Sequence, residues 1–252
     1  MINIVIPMAG LGSRFVVAGY EKPKPFIDVD GKPMIVRVLE NLAYPGAKYI
    51  LIGRREHLDK EVDLVENIKC TYGATFVVAE ELTAGTPCTI LLAEKLIDSA
   101  APVLIANSDQ LVDIEIADFI DDCTLRKLDG SILTFLDKFR DPKWSFAKVG
   151  DNQLVDEVKE KQVISDIATV GIYLFSNGSN FIAAAKDMIA ADDRVNNEFY
   201  TCPIYNYLIR DGGRIGVYNI DFEQMHGLGV PADLEAYLAW RRAGSQAQSS
   251  LA

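Results

Sequence analysis

The sequence predicts an α/β protein in which a Rossmann-like mixed sheet is flanked by helices. Two observations predict this class. Short apolar runs of strand length alternate with longer segments whose apolar residues recur at helical spacing. The first run, residues 2–7, is apolar almost throughout, as in a strand buried on both faces, and a glycine-rich turn follows it. We expect a single domain over residues 1–244 and a flexible polar tail over residues 245–252.

The first half of the chain alternates between strands and helices. Strands are predicted at the short apolar runs, residues 2–7, 48–53, 74–79, 102–106 and 130–136. Helices are predicted where the apolar period is close to 3.6, at residues 34–42, 58–68, 87–96 and 114–123. This alternation is typical of a largely parallel sheet.

The second half of the chain has a different pattern. Strands are predicted in close succession, at residues 146–149, 154–160 and 167–175, without long helices between them. The remaining predicted elements are helices at 179–190, 199–210 and 232–242 and a strand at 214–220. We expect the consecutive strands to form an antiparallel part of the same sheet or a substrate lobe.

Composition and charge exclude several classes of protein. The chain has 252 residues and a formal net charge of −11, which argues against wrapping nucleic acid. Its apolar runs fall short of the roughly 18 residues that cross a bilayer. The four cysteines are far apart and form no CxxC pair, as expected of reduced thiols. We therefore expect a cytoplasmic protein that binds neither nucleic acid nor membrane; a homodimer stays open.

A glycine-rich loop, Gly10-Leu11-Gly12-Ser13-Arg14, follows the first strand. Glycines let backbone N–H groups approach a phosphate, Ser13 adds a hydroxyl donor, and Arg14 offers a planar fork of donors. The loop matches neither GxGxxG nor the Walker A pattern. Taken alone, it is also compatible with a plain strand–helix turn.

Two further segments carry charges that suit a phosphate ligand. In Lys22-Pro23-Lys24-Pro25 the prolines hold the lysines outside a helix, so Lys24 can offset charge on a transferring phosphate. Asp109 follows a buried strand, where ligands of open α/β sheets gather, and its carboxylate suits Mg²⁺. The alternatives are a solvated basic turn for Lys24 and a helix N-cap for Asp109.

Together these motifs resemble the sugar-phosphate nucleotidyltransferase family, the NDP-sugar pyrophosphorylases, and a short member of the capsule or surface-polysaccharide type. The resemblance rests on G-x-G-S-R at residues 10–14, K-P-F-I at residues 24–27 and G-K-P-M at residues 31–34. An E-K segment at residues 160–161, the G-I-Y strand from Gly171 and N-E-F-Y at residues 197–200 also resemble the family, as does the closing segment, residues 228–234. The resemblance implies the nucleotide-diphospho-sugar transferase fold.

The family resemblance also implies roles for particular residues. Arg14 and Lys24 would be catalytic, gripping the triphosphate and stabilising charge at the α-phosphorus. The implied nucleotide-binding residues are Met8, Ala9, Gly10, Gly12, Ser13, Thr83, Gly85, Thr86 and Ser108. The implied acceptor-binding residues are Glu160, Lys161, Gly171 and Glu198, with Lys161 on the acceptor phosphate. Asp109 would coordinate Mg²⁺, the implied cofactor.

Two departures from the family pattern concern the metal. Asn107-Ser108 precede Asp109 where the family often has glycine, and Gly227 occupies the place of its second metal aspartate. We expect Asp221 to replace that carboxylate, because Mg²⁺ favours oxygen ligands. His226, Glu223, or Asp109 with the substrate phosphates alone are the alternatives.

The resemblance implies transfer of a nucleoside monophosphate from CTP, dTTP, UTP or GTP to a small phosphorylated acceptor, such as a sugar 1-phosphate, with release of pyrophosphate. A glycosyltransferase of the related GT-A fold is the alternative, although it would need a D-x-D motif and Asn107-Ser108-Asp109 supplies only half of one. A non-catalytic nucleotide sensor is a third reading. The expected partners are the nucleoside triphosphate and its acceptor.

Overall fold

The computed structural model describes the backbone of residues 1–249 and the side chains of residues 1–243. It confirms the α/β class, with a nine-stranded mixed sheet flanked by helices. The strands are β1 Ile2–Met8, β2 Asp28–Val29, β3 Lys32–Pro33, β4 Ala47–Arg54, β5 Thr75–Ala79, β6 Val103–Ala106, β7 Gln110–Val112, β8 Gly130–Leu136, β9 Ser145–Val149, β10 Val155–Glu160, β11 Ile167–Phe175, β12 Ile215–Ile220 and β13 Met225–Gly227.

The α-helices are α1 Ser13–Val17, α2 Met34–Asn41, α3 Arg55–Lys60, α4 Val62–Tyr72, α5 Thr86–Leu91, α6 Glu94–Ile97, α7 Ile116–Leu125, α8 Gly178–Ala190, α9 Ile204–Arg210 and α10 Pro231–Ser249. Two short 3₁₀ helices cover Lys24–Phe26 and Phe222–Gln224.

The main sheet has a parallel part and an antiparallel part. The strand order is β10-β9-β11-β6-β1-β4-β5. In addition, β8 pairs with β11, and β12 pairs with β8. Strands β6, β1, β4 and β5 run parallel, whereas β11 is antiparallel to β6, β8 and β9. Because β1 and β6 are parallel neighbours, the loops that follow them lie at one edge of the sheet.

Strand β1 shows how the apolar sequence builds a core on both sheet faces. Ile4 and Ile6 belong to one buried cluster and Val5 to the other, as the two-residue period of a strand requires. All three side chains are fully buried. The sheet therefore holds the carboxyl end of β1 in place from both sides.

Several predicted boundaries were wrong. The helix predicted at 58–68 is divided into α3 and α4 at Glu61, and the one at 87–96 is divided into α5 and α6. The helix predicted from residue 199 begins at Ile204, after Pro203. Helix α10 continues as far as Ser249, consistent with the good helix formers Ala and Gln, and the expected flexibility of the tail from residue 245 stays a prediction. Residues 250–252 lie outside the described residues.

Four short strands were not predicted. β2 and β3 form a small hairpin, and β7 pairs with β13 in a second two-stranded sheet. These strands have two or three residues, so they are too short to show a hydrophobic period.

We predict that Tyr205→Phe lowers the free energy of unfolding by about 1–2 kcal/mol, because a buried hydrogen-bonding group is lost. The hydroxyl of Tyr205 lies 3.0 Å from the carbonyl oxygens of Ser131 and Leu174, inside the core. Chemical denaturation measures the effect. Tyr207→Phe is the control on the same helix, because its hydroxyl contacts Asp193 at the surface. Equal stability of the two variants would contradict this account.

Candidate active site

A cleft of about 380 Å³ opens at the sheet edge where β1 and β6 end. The residues that line it come from five segments that are distant in sequence. They are Pro7, Met8, Ala9, Gly10, Gly12, Lys24, Pro25, Leu82, Thr83, Gly85, Thr86, Thr89, Asn107, Ser108, Asp109, Glu198, Phe199 and Tyr200. The structure thus brings together most of the predicted nucleotide-binding residues with Lys24, Asp109 and Glu198.

Lys24 and Asp109 form an ion pair inside this cleft. The Lys24 ammonium donates a hydrogen bond to Asp109 Oδ2 across 85 residues of sequence. Both side chains are largely shielded, with exposed fractions of 18% and 24%. Two residues predicted to bind different ligands, a phosphate and a metal ion, therefore bond to each other.

Gly12 allows the glycine-rich loop to approach Lys24. Its φ of +62° is left-handed, and a Cβ atom there would lie 3.0 Å from Lys24 Cβ. Lys24 begins a 3₁₀ helix directly after Pro23, whose ring restricts the main chain at that point. The loop and the lysine therefore form one packed unit at the mouth of the cleft.

Gly85 joins the loop at residues 82–86 to the opposite wall of the cleft. A Cβ atom at Gly85 would lie 2.1 Å from the carbonyl oxygen of Phe199, and the Phe199 amide donates to Ala84 O at 2.9 Å. The Thr83 hydroxyl lies 2.6 Å from that of Thr89, which holds the loop from inside. The nucleotide-side loop and the segment of Glu198 are thus attached through their main chains.

Lys161 and Glu198 are connected by a tyrosine. Lys161 Nζ donates to the Tyr200 hydroxyl at 2.6 Å, and this hydroxyl donates to Glu198 Oε2 at 2.9 Å. Burial lowers the pKa of Lys161, but the hydrogen bond to Tyr200 and the nearby carboxylates outweigh it, so the pKa lies above its ordinary value. Lys161 therefore stays a cation.

Glu160 is buried behind Lys161. The Ser145 hydroxyl donates a hydrogen bond to Glu160 Oε2. Burial raises the pKa of Glu160, and the Ser145 bond and the charge of Lys161 offset only part of this effect. Neither Glu160 nor Lys161 is among the residues that line the cleft, and Lys161 reaches it through Tyr200.

Gly171, predicted to bind the acceptor, lies beneath Asn107. Its φ is +97°, and a Cβ atom there would lie 2.2 Å from Asn107 Nδ2. The main-chain amide of Asn107 donates a hydrogen bond to the main-chain carbonyl oxygen of Gly171 at 3.1 Å. Gly171 is buried, and because it has no side chain the segment before Asp109 can pack closely on β11.

Arg14 and Ser13 are exposed on α1 and do not line the cleft. Within the described residues, no hydrogen bond or ion pair involves the Arg14 side chain. The structure therefore places Arg14 next to the glycine loop but does not bring it to Lys24. Its catalytic role stays a prediction.

Asp221, the expected second metal ligand, is not brought to Asp109. It lines another cavity, and its carboxylate caps the 3₁₀ helix Phe222–Gln224. Gln224 O accepts from the Asp113 amide at 2.8 Å, so this helix lies at the far end of β7. At about 3.3 Å per residue, the four steps from Asp109 to Asp113 span about 13 Å. We therefore do not retain Asp221 in the metal site.

The described residues contain no group of three or more His, Cys, Asp or Glu side chains that could hold a metal ion. Gly229 lies beside Asp109, since a Cβ atom there would be 3.3 Å from Asp109 Oδ2. A Cβ atom at Gly227 would be 3.9 Å from Asp233 Oδ2 and from Gln110 Oε1. One carboxylate with substrate phosphates is a common donor set for Mg²⁺, so Asp109 fits this ion.

Four polar residues at or near the cleft were not among the predicted site residues. Thr89, Asn107 and Tyr200 line it, and Ser145 holds Glu160. Asn107 and Tyr200 belong to motifs quoted above, and each lies two residues from a predicted site residue, Asp109 or Glu198. This closeness in sequence was the signal that could have identified them. Ser145 had no such signal, because its role depends on the pairing of β9 with β10.

The fold and the cleft bring a glycine loop, a lysine and a strand-end aspartate together at the edge of a mixed sheet. The model of the nucleotidyl transferase family matches residues 4–212, and the chain belongs to that family. This confirms the resemblance drawn from the motifs. Within the described residues, no helix is both long and apolar enough to cross a membrane.

Individual relatives agree with this assignment. The chain is 27% identical over 183 residues to a mannose-1-phosphate guanyltransferase of Debaryomyces hansenii, covering 68% of this chain and 49% of the relative. It thus spans about half the length of the curated relatives it matches. A nucleoside-diphosphate-sugar pyrophosphorylase from Vibrio cholerae RC9 superposes with a TM-score of 0.79 and 26% identity, covering 94% and 99% of the two chains. An inositol-1-phosphate CTP transferase from T. maritima, at 14% identity and TM-score 0.67, shares the fold over 93% of each chain.

We predict that Glu160→Gln makes stability less dependent on pH. Because the folded protein holds the pKa of Glu160 above its unfolded value, it binds more protons than the unfolded chain between those two values. Stability of the native protein therefore falls as pH rises through this window, and the variant should lack that fall. Denaturation curves at several pH values from 4 to 8 measure it. Parallel pH dependence of the two proteins would refute the assignment.

Proposed function

We propose that the protein is a magnesium-dependent nucleotidyltransferase. It transfers a nucleoside monophosphate from a nucleoside triphosphate to a small phosphorylated acceptor and releases pyrophosphate. The observation that carries this proposal is the Lys24–Asp109 pair, which combines a phosphate-binding cation and a metal-binding anion in one cleft. Family membership and the printed activities of the relatives support it.

The reaction is an in-line displacement. A phosphate oxygen of the acceptor attacks the α-phosphorus, an O–P bond forms, and the bond to the bridging oxygen of pyrophosphate breaks. Lys24 stabilises the charge that develops on the α-phosphate oxygens, and Arg14 grips the outgoing phosphates. No covalent intermediate with the enzyme is required, since positioning and electrostatics suffice.

In this proposal Asp109 would hold Mg²⁺ together with the phosphates of the nucleotide, a donor set of one carboxylate and phosphate oxygens that suits this ion. The described residues contain no group of three or more His, Cys, Asp or Glu side chains that could hold a metal ion by themselves. The ion would neutralise charge on the phosphates. Nucleotide and metal ion would together take the place of the Lys24–Asp109 ion pair.

The acceptor end of the cleft lies at Glu198 and Tyr200, with Lys161 behind them. We place the acceptor phosphate at Lys161 and acceptor hydroxyls at Glu198, which lines the cleft. Acceptor binding by Glu160, which is buried and bonded to Ser145, stays a prediction. A sugar 1-phosphate fits this donor set, and a non-sugar phosphate fits it too. A biological role in capsule or surface-polysaccharide synthesis, a cytoplasmic location, and CTP beside dTTP, UTP and GTP are parts of the same proposal.

A substrate matrix tests the function. CTP, dTTP, UTP, GTP and ATP are each mixed with Mg²⁺ and with sugar 1-phosphates or other phosphorylated metabolites, and pyrophosphate is measured. We expect one pairing to release pyrophosphate in step with loss of the acceptor. The proposed function would be disproved if no pairing released pyrophosphate, or if pyrophosphate were released without loss of the acceptor. A glycosyltransferase would instead release a nucleotide from a nucleotide sugar.

We predict that Lys24→Met and Asp109→Asn each lower turnover at least about 100-fold, the usual cost of losing one transition-state contact. The two variants should differ in binding. Asp109→Asn frees Lys24 and should bind metal-free nucleotide at least as tightly as the native protein, whereas Lys24→Met should bind it more weakly. Calorimetry with EDTA measures this affinity.

Lys22→Met is the matched control, because Lys22 is more exposed and faces Glu61 at 3.8 Å. It should keep near-native turnover and nucleotide affinity. If Asp109→Asn instead lost affinity for metal-free nucleotide as severely as Lys24→Met, the exchange of partners at Lys24 would be wrong.

A further inference from the structure

Tyr200 lies between the two ends of the cleft. Its hydroxyl accepts a hydrogen bond from Lys161 Nζ at 2.6 Å and donates one to Glu198 Oε2 at 2.9 Å. The side chain is partly buried and lines the cleft. The hydroxyl thus uses its donor and one of its acceptor sites on two charged neighbours.

The tyrosine separates two opposite charges. No ion pair joins Lys161 to Glu198 in the part of the chain that the structure describes, although both groups contact one hydroxyl oxygen. A lysine ammonium has three N–H donors on a flexible stem. With one donor fixed by a neutral hydroxyl, two stay available for an anion. A direct bond to the carboxylate would instead cancel the charge that an anion needs.

The main chain fixes the position of this hydroxyl. The residue before it, Phe199, donates its amide to Ala84 O at 2.9 Å and packs against Gly85 without space for a Cβ atom. The Arg194 guanidinium covers the Phe199 ring at 4.2 Å. The position of the Tyr200 hydroxyl beside Lys161 therefore depends on the loop at residues 82–86, to which Phe199 is attached.

We propose that Tyr200 is a positioning residue for the acceptor phosphate, which holds the Lys161 ammonium at the acceptor end of the cleft and keeps it from pairing with Glu198. This inference rests on the proposed function, since it takes Lys161 as the group that binds that phosphate. Tyr200 acts through Lys161 and need not touch the reacting atoms.

The first test is Tyr200→Phe, which retains the ring and removes the hydroxyl. A hydrogen bond to a charged group corresponds to about a 10- to 100-fold effect, so KM for the acceptor should rise by that factor. KM for the nucleotide should stay unchanged. Tyr72→Phe is the control, because the Tyr72 hydroxyl donates to a carboxylate, Glu40, at 3.0 Å away from the cleft.

The second test is a double-mutant cycle on binding of inorganic phosphate, followed by ³¹P NMR. Tyr200→Phe should weaken binding about 10- to 100-fold in the native background and less than about 2-fold when Lys161→Met is present. Such non-additivity is expected only if the hydroxyl acts through the lysine. Equal losses in both backgrounds, or native affinity in Tyr200→Phe, would overturn the inference.

The two proposals can fail separately. Phosphate binding requires no turnover, so a native protein that binds phosphate through Lys161 and Tyr200 but releases no pyrophosphate would contradict only the transferase. Turnover with an unchanged acceptor KM in Tyr200→Phe would contradict only the role of Tyr200. A native protein without measurable phosphate binding would overturn the role of Tyr200, whatever its turnover.

Discussion

The pairing of Lys24 with Asp109 is the interaction on which the arrangement of the cleft depends. Charges that are largely shielded from water are stable only when they are paired, so each residue fixes the other. The pair joins the segment after α1 to the carboxyl end of β6, and it can form because β1 and β6 are parallel neighbours. The same sheet geometry places the glycine loop against Lys24. A ligand that takes both charges at once can replace the pair without leaving either charge alone.

Three glycines mark the places where segments of the site touch. At Gly12, Gly85 and Gly171 an added Cβ atom would meet Lys24, Phe199 and Asn107, at 3.0, 2.1 and 2.2 Å. All three have positive φ values, so both the backbone conformation and the contact favour glycine. Main-chain packing at these glycines therefore brings the walls of the cleft together, and the Lys24–Asp109 pair orders the charges between them. The main chain packed in this way also positions side chains of the site, such as Tyr200, which contacts Lys161.

The sequence predicts best the elements whose burial is uniform. The strands β8 and β11 have the predicted bounds, because nearly all their residues are buried and most of them are apolar. It predicts poorly what depends on pairing between distant short segments, as in β7 with β13. For the same reason the placement of Asp221 failed: its distance from Asp109 follows from the register of β7 and β13. Motif order could assign Lys24 and Asp109 to one site, but it carried no sign that they bond to each other.

Net charge and local charge act at different ranges in this protein. A chain of net charge −11 repels long polyanions, yet the proposed function requires its cleft to attract two phosphorylated ligands. Screening limits the surface field to about 8–10 Å, so a few shielded cations can dominate inside the cleft. The chain keeps these cations usable in two ways. In the proposed function a metal ion would take over the partner of Lys24, whereas Lys161 and Glu198 are bridged by the neutral hydroxyl of Tyr200. The proposal therefore has one cation released by its ligand and the other kept from pairing directly with Glu198.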